Sequence, residues 1–234
     1  GSMGIYVFNT EVLSSALRED AEDPNSAHDF GKNILPKLIT THKVYAYPFS
    51  GYWVDVGTVQ AYWEAHMDLL ADQPPLDLLD RNWVIHTRSE ERPPVNIRTG
   101  AVVAHSLITD GCVIEGTVEY SVLSPGVKVG RGAVVRNSIV LTDTVIEVGA
   151  MVDRSIIDKE CHILSNAHIG YGVDYSPNPL GDLTSGITLV GKNAVVPAGV
   201  RVGRNCIVAG DVREADFAGT MVPSGTTVGV VPPG

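Results

Sequence analysis

Residues 127–169 read VKVGRGAVVRNSIVLTDTVIEVGAMVDRSIIDKECHILSNAHI, and within them Val127, Ala133, Ile139, Val145, Met151, Ile157, Ile163 and Ile169 recur at six-residue steps without a break. A period of six fits neither an amphipathic helix nor a series of simple hairpins. Three short strands with tight turns make one triangular coil of about eighteen residues, and each strand turns one aliphatic side chain into the prism. One coil cannot bury its own core, whereas stacked coils can, so the repeat has to continue over several turns. After an irregular polar stretch over 171–186 the step resumes as Val190, Val196, Val202 and Val208, followed in turn by Gly191, Pro197, Gly203 and Ala209. Upstream, Ile108, Ile114 and Tyr120 hold the same step in a shifted register. The spacing predicts a mainly β architecture, a parallel β-helix over residues 101–234.

Before residue 95 the texture is different. GIYVF (4–8) reads as a short buried strand, and NTEVLSSAL (9–17) opens on a capping residue and continues with helical spacing. A second helix is predicted near 29–40, ending around Thr40, Thr41 and His42, and a strand comes next in KVYAYPF (43–49). A third helix is predicted from VGT through about Leu70, with Thr58 as its N-cap. QPPL and EERPP punctuate the stretch after this helix, because proline denies both helix continuation and ladder hydrogen bonds. The division expected is a partial α/β segment over 1–72, a linker over 73–100 and the β-helix over 101–234.

Composition narrows the function classes. The 234 residues are 44% hydrophobic with a formal net charge of -10. Phosphate backbones are bound by clustered Lys and Arg, so this balance argues against a nucleic-acid partner. No apolar run reaches the length of a membrane span, and the start lacks a basic, cleavable leader, so a cytoplasmic protein with no membrane partner is expected. Cys112, Cys161 and Cys206 lie far apart without C-x-x-C spacing, which predicts buried, inert thiols rather than a disulfide framework or zinc site.

GIYVFN (4–9), HDFGKNILP (28–36) and YWVDVGTVQAYWEA (52–65) resemble, in that order and spacing, the last part of the catalytic domain of glucose-1-phosphate adenylyltransferases. LLDRNWVIHT (78–87), the RPPV segment and LTSGITLVG (183–191) look like the bacterial form of that family, so the resemblance covers essentially the whole chain. Similarity to hexapeptide-repeat proteins also implies that the β-helix is left-handed, which the period alone does not fix. The family transfers the adenylyl group of ATP to glucose 1-phosphate, making ADP-glucose and pyrophosphate for glycogen or starch synthesis. In-line displacement at phosphorus calls for Mg²⁺, carboxylate ligands and sugar-orienting groups.

Residue by residue, the resemblance implies that Asp55 is a metal-binding aspartate and that Trp53 packs beside the sugar phosphate. It implies that Asp29 and Phe30 line the glucose site, that Tyr6 contacts substrate, and that Ser2 coincides with a family serine, although Gly1 and Ser2 also have the form of a tag remnant. Each has a plainer reading as well. Asp29 suits a helix cap, Asp55 a turn before Gly57, and Phe30, Trp53 and Tyr6 a core. His28 is expected to support its loop, and His162 and His168 to sit at solvated turns.

No glycine-rich, arginine-containing phosphate loop occurs in the chain, nor does the second metal carboxylate of the family. The expectation is a truncated form, inactive alone, that keeps a homotetramer interface and surfaces for an anionic sugar-phosphate effector. Lys128, Arg131, Arg136, Arg154, Arg201 and Arg204 fall on the coils and could touch such an anion, but read more simply as solvated turn charges. Two other classes fit the repeat alone: a hexapeptide acyltransferase using CoA, and a structural oligomerisation module.

Overall fold

A computed structural model of the chain describes residues 2–87, 90–180 and 182–231. Two compact units emerge, residues 1–53 and 54–234.

The first unit is helical. Helix α1 spans Thr10–Ala21 with Asn9 at its N-cap position. A π-helical turn over Phe30–Ile34 runs into α2, Leu35–Thr41. Ile34 and Leu38 are the buried apolar residues of this unit. The segments 4–8 and 43–49 are not strands. A strand exists only where a neighbour takes its N–H and C=O groups, and among the described residues neither segment has such a neighbour. Ile5 and Val7 of the first segment and Val44, Tyr45, Tyr47 and Phe49 of the second stand in solvent instead, Val7 98% and Tyr47 90% exposed, which corrects the expectation of a buried strand at 4–8.

The second unit begins with α3, Val59–Asp68, capped by Thr58, whose hydroxyl accepts a bond from Ala61 N at 3.1 Å. The strands beyond it are two to four residues long and form three parallel sheets, of six, seven and seven strands, in which each strand pairs with those one coil before and after it. This is the parallel β-helix that the six-residue step predicts. Its first strand pair already involves Asn96 and Ile97, against Val113 and Ile114.

The inward row is not the uninterrupted six-step series. Val129, Ile146 and Ile163 stack at one face, Val135, Val152 and Ile169 at the next, and Val140 and Ile157 at the third. Partners in these coils are seventeen residues apart, so one corner of each coil is a residue shorter than the simple hexapeptide repeat. The six-step series therefore drifts across the wall. Val145 and Met151 are half-buried outside the core while Ile146 and Val152 are fully buried within it. Tyr120 likewise leaves the core to Val118 and sits at a corner with φ 45°. Past the 171–186 stretch, Val190, Val196, Val202 and Val208 all lie inside, as their spacing predicts.

The corner between the second and third faces explains the shortened step. His105, Tyr120, Asn137 and Arg154 take left-handed φ angles there, and each is followed by a serine. Ser121 N donates to Ser106 Oγ at 3.2 Å, Ser138 N to Ser121 Oγ at 3.2 Å and Ser155 N to Ser138 Oγ at 3.1 Å. Every one of these hydroxyls in turn donates to the carbonyl two residues back. The column thus satisfies backbone N–H groups that the tight corner removes from the ladders.

Helix α3 covers part of this corner. Trp63 Nε1 donates to Asn137 O at 2.7 Å, and the Arg154 guanidinium lies 4.5 Å from the Trp63 ring centre. The neighbouring outer row of the third face is aliphatic from Leu107 through Val122, Ile139, Ile156 and Leu189 to Ile207, and Ile139, beside Asn137, is fully buried. All three cysteines are buried free thiols, and burial pushes Cys161 up to about 11.

Two stability measurements check the register and the corner. Ile146→Ala is expected to cost about 2–5 kcal/mol in urea unfolding, and Val145→Ala, outside the core, less than half as much. Ser138→Ala strands the Ser155 N–H and is expected to cost about 1–3 kcal/mol. Equal losses at positions 145 and 146 would contradict the register.

Candidate functional site

In the first unit an aromatic trio stands at the centre of the residues that the sequence singles out. The rings of Tyr6 and Phe30 stack at 5.7 Å and 20°, with Phe8 tilted against both at 6.2 and 5.9 Å. Phe30 is held by the π-helical turn that it opens, and Tyr6 by an extended segment whose alternation sends Ile5 and Val7 the other way. The Tyr6 and Ser2 hydroxyls are 2.8 Å apart, and Ser2 Oγ also accepts from Gly4 N. Four of the sequence candidates and their neighbours thus build one small surface: two hydroxyls beside a stacked ring pair, next to Asp29.

Asp29 caps the π-helical turn. Its Oδ1 accepts from Lys32 N at 2.8 Å and its carbonyl from Asn33 N at 2.9 Å. The capping role is therefore real, and Oδ2 lies outside that bond. Trp53, the last residue of this unit, is 46% exposed. Asp55 belongs to the second unit, where Oδ1 accepts from Gly57 N at 2.9 Å in a local turn.

A metal ion finds an incomplete donor set. No group of three or more His, Cys, Asp or Glu side chains among the described residues could hold one. Mg²⁺ is held by one or two carboxylates together with water and phosphate oxygens. Asp55 offers one carboxylate oxygen beyond its turn bond, one donor of such a set.

His28 supports its loop, and its partner is Asp20 at the end of α1. With φ 55°, it places Nδ1 2.8 Å from Asp20 Oδ2, while Ser26 Oγ donates to Asp20 Oδ1 at 2.6 Å. Asp20 thus ties the loop leading into Asp29 and Phe30 to the end of α1. The Ser26 hydroxyl and His28 hold its carboxyl below the ordinary aspartate range. No motif marks Asp20, because its partners are six and eight residues away across an irregular turn.

On the coils, His162 and His168 lie on strands rather than at turns. His162 is exposed, but His168 is half-buried, and burial lowers its pKa. Lys128, Arg131, Arg136 and Arg201 are exposed. Arg154 instead packs on Trp63 and donates from Nε to Ser185 O, and Arg204 is 8% exposed, so these two are not solvated turn charges.

Residues 1–72 match the family pattern described as nucleotidyl transferase, and residues 95–190 the one described as GlmU-like, C-terminal hexapeptide. The glucose-1-phosphate adenylyltransferase of Thermomicrobium roseum is 56% identical over 97% of this chain and 54% of its own length. Those of Desulforamulus reducens and Acetivibrio thermocellus are each 41% identical, over 89% and 97% of this chain and 52% and 54% of theirs. The chain spans about half the length of the curated relatives it matches. No helix among the described residues is long and apolar enough to cross a membrane.

The Asp20 contacts carry a pH signature. A depressed folded pKa stabilises fully above the ordinary value of about 3.9 and is lost as pH falls through the lower folded value. Measured by carboxyl ¹³C shifts, Asp20 is expected to titrate below about 3.9, and Ser26→Ala to move its midpoint upward.

Proposed function

Along 97% of its length the chain belongs to the family of the glucose-1-phosphate adenylyltransferases, and on that premise we propose that it contributes the sugar-phosphate side of an adenylyl-transfer site together with the β-helix of that enzyme. The observation that carries this reading is the 56% identity, which runs through both the helical unit and the coils. In the reaction an oxygen of the glucose 1-phosphate phosphate attacks the α-phosphorus of ATP, the bond to the β-phosphate oxygen breaks, and pyrophosphate leaves.

The residues of this chain bind and orient. The Ser2 and Tyr6 hydroxyls hydrogen-bond sugar hydroxyls, and the stacked Phe30 ring fixes the direction of Tyr6. Asp29, immobilised by its cap, presents its second oxygen to the sugar, and Trp53 packs beside the sugar phosphate. Holding the nucleophile in place contributes through orientation rather than through bond-making groups. Asp55 would hold Mg²⁺ through its carboxylate, and the ion when bound would supply neutralisation of phosphate charge. No phosphate-cradling loop occurs in these 234 residues, so the chain alone does not turn over. The coils carry homotetramer contacts and an anionic sugar-phosphate effector site.

Pyrophosphate release from ATP and glucose 1-phosphate with Mg²⁺ tests this on the chain and on a protein extended to the relatives' full length. Activity is expected only in the longer protein, and Asp55→Asn in it is expected to lower kcat about 100-fold or more, the loss of several kcal/mol of charge stabilisation. An inactive extended protein, with CoA bound by the coils instead, would replace this reading with that of an acyltransferase.

A further inference from the structure

In the first unit one carboxylate fastens the whole loop between α1 and the π-helical turn. The Asp20 side chain is only 13% exposed, and both of its oxygens are engaged. Oδ1 accepts from the Ser26 hydroxyl at 2.6 Å, and Oδ2 stands 2.8 Å from His28 Nδ1. An ionised carboxylate only accepts, so His28 carries a proton on Nδ1. Ser26 Oγ, while donating to Asp20, also accepts from His28 N at 3.0 Å. Asp20, Ser26 and His28 therefore close a ring of three hydrogen bonds.

What this ring holds is a strained residue. His28 has φ 55°, an uncommon conformation for a residue with a Cβ, and such a conformation persists where surrounding contacts over-determine it. The next two residues are Asp29 and Phe30. On its far side Asp29 is fixed by the turn that it caps, through Lys32 N and Asn33 N. On its near side the chain arrives through His28, so the φ of that residue sets the direction in which the Asp29 carboxylate and the Phe30 ring are delivered. Phe30 stacks on Tyr6, and the Tyr6 hydroxyl meets that of Ser2, so a change at His28 reaches the whole surface. The adjacent Glu19 works differently. It pairs with Lys37 at 2.7 Å, joining α1 to α2 without touching the loop, and the two side chains are 63% and 52% exposed.

We propose that Asp20 is a positioning residue for the sugar phosphate: by holding His28 in its left-handed conformation through the Ser26 ring, it orders Asp29, Phe30 and Tyr6 before the sugar arrives. Without the carboxylate, His28 relaxes to an ordinary backbone basin and the loop takes many directions, so sugar binding has to order the loop itself and weakens. Asp20 touches no reacting atom, and its removal acts on the affinity for the sugar phosphate rather than on that for ATP. The proposal rests on the reading of Ser2, Tyr6, Asp29 and Phe30 as the sugar-phosphate side of the site.

The test has a structural and a kinetic arm. In this chain, NMR ring-current shifts of Tyr6 report its stacking on Phe30. Asp20→Ala is expected to move the Tyr6 ring signals to unstacked positions, Asp20→Asn, which still accepts from Ser26, to move them less, and Glu19→Gln to leave them in place. In the protein extended to the relatives' length, Asp20→Ala is expected to raise KM for glucose 1-phosphate about tenfold and Asp20→Asn about threefold, with KM for ATP changed less than about twofold. Tyr6 signals that do not move in Asp20→Ala, or a KM for glucose 1-phosphate that stays put or rises in step with that for ATP, would overturn the proposal. An extended wild-type protein that does not saturate with glucose 1-phosphate removes the sugar-phosphate reading and the proposal with it, whereas a wild type that saturates and is matched by both Asp20 variants removes the proposal alone.

Discussion

Everything in the second unit depends on the parallel ladder between one coil and the next. A strand of two or three residues has too few hydrogen bonds and too little apolar area to persist alone. Stacked, each inward Val or Ile lies on its counterpart from the neighbouring coil, and burial of each contributes about 1.5–3 kcal/mol. The same stacking aligns whatever else recurs once per coil. That is why serines succeed one another up a corner, and why His168 stands beside Arg201 although thirty-three residues separate them in sequence.

The corners decide how the wall can be used. A left-handed residue followed by serine turns the chain in fewer residues and returns the lost backbone bonds through side-chain oxygens. The carbonyl of Asn137, exposed by that turn, becomes the acceptor for Trp63, and Arg154 one coil later stacks on the same ring. Docking of α3 is therefore a consequence of corner geometry together with the aliphatic outer row beside it. On the second face one outer row runs Glu119, Arg136 and Asp153, and there arginines gather on a buried carboxylate.

The first unit obeys a different logic. Its apolar core is small, centred on Ile34 and Leu38, and its order near the candidate site comes from local polar contacts. Asp20 fixes the loop, Asp29 caps the turn, and Phe30 then has one direction in which to meet Tyr6. Extended apolar segments on either side remain unpaired and exposed among the described residues. A ladder supplies both order and burial in the coils, and where it is missing neither arises from hydrophobicity alone.

The sequence by itself determined that the coils exist, where they are interrupted and where they resume, because a six-residue aliphatic step has few other uses. It also determined the three helices and the Thr58 cap, since capping and helical spacing are local. It did not determine which residue of each strand faces inward. Val145 and Ile146 are both aliphatic neighbours, and only the seventeen-residue coil, set by the serine corners, chooses between them. The Ser2, Tyr6 and Phe30 surface was visible only as separate motifs. Its assembly, like the Asp20 anchor and the convergence of Arg136, Arg204 and Asp153, depends on side chains meeting across turns and coils, a distance that no local pattern records.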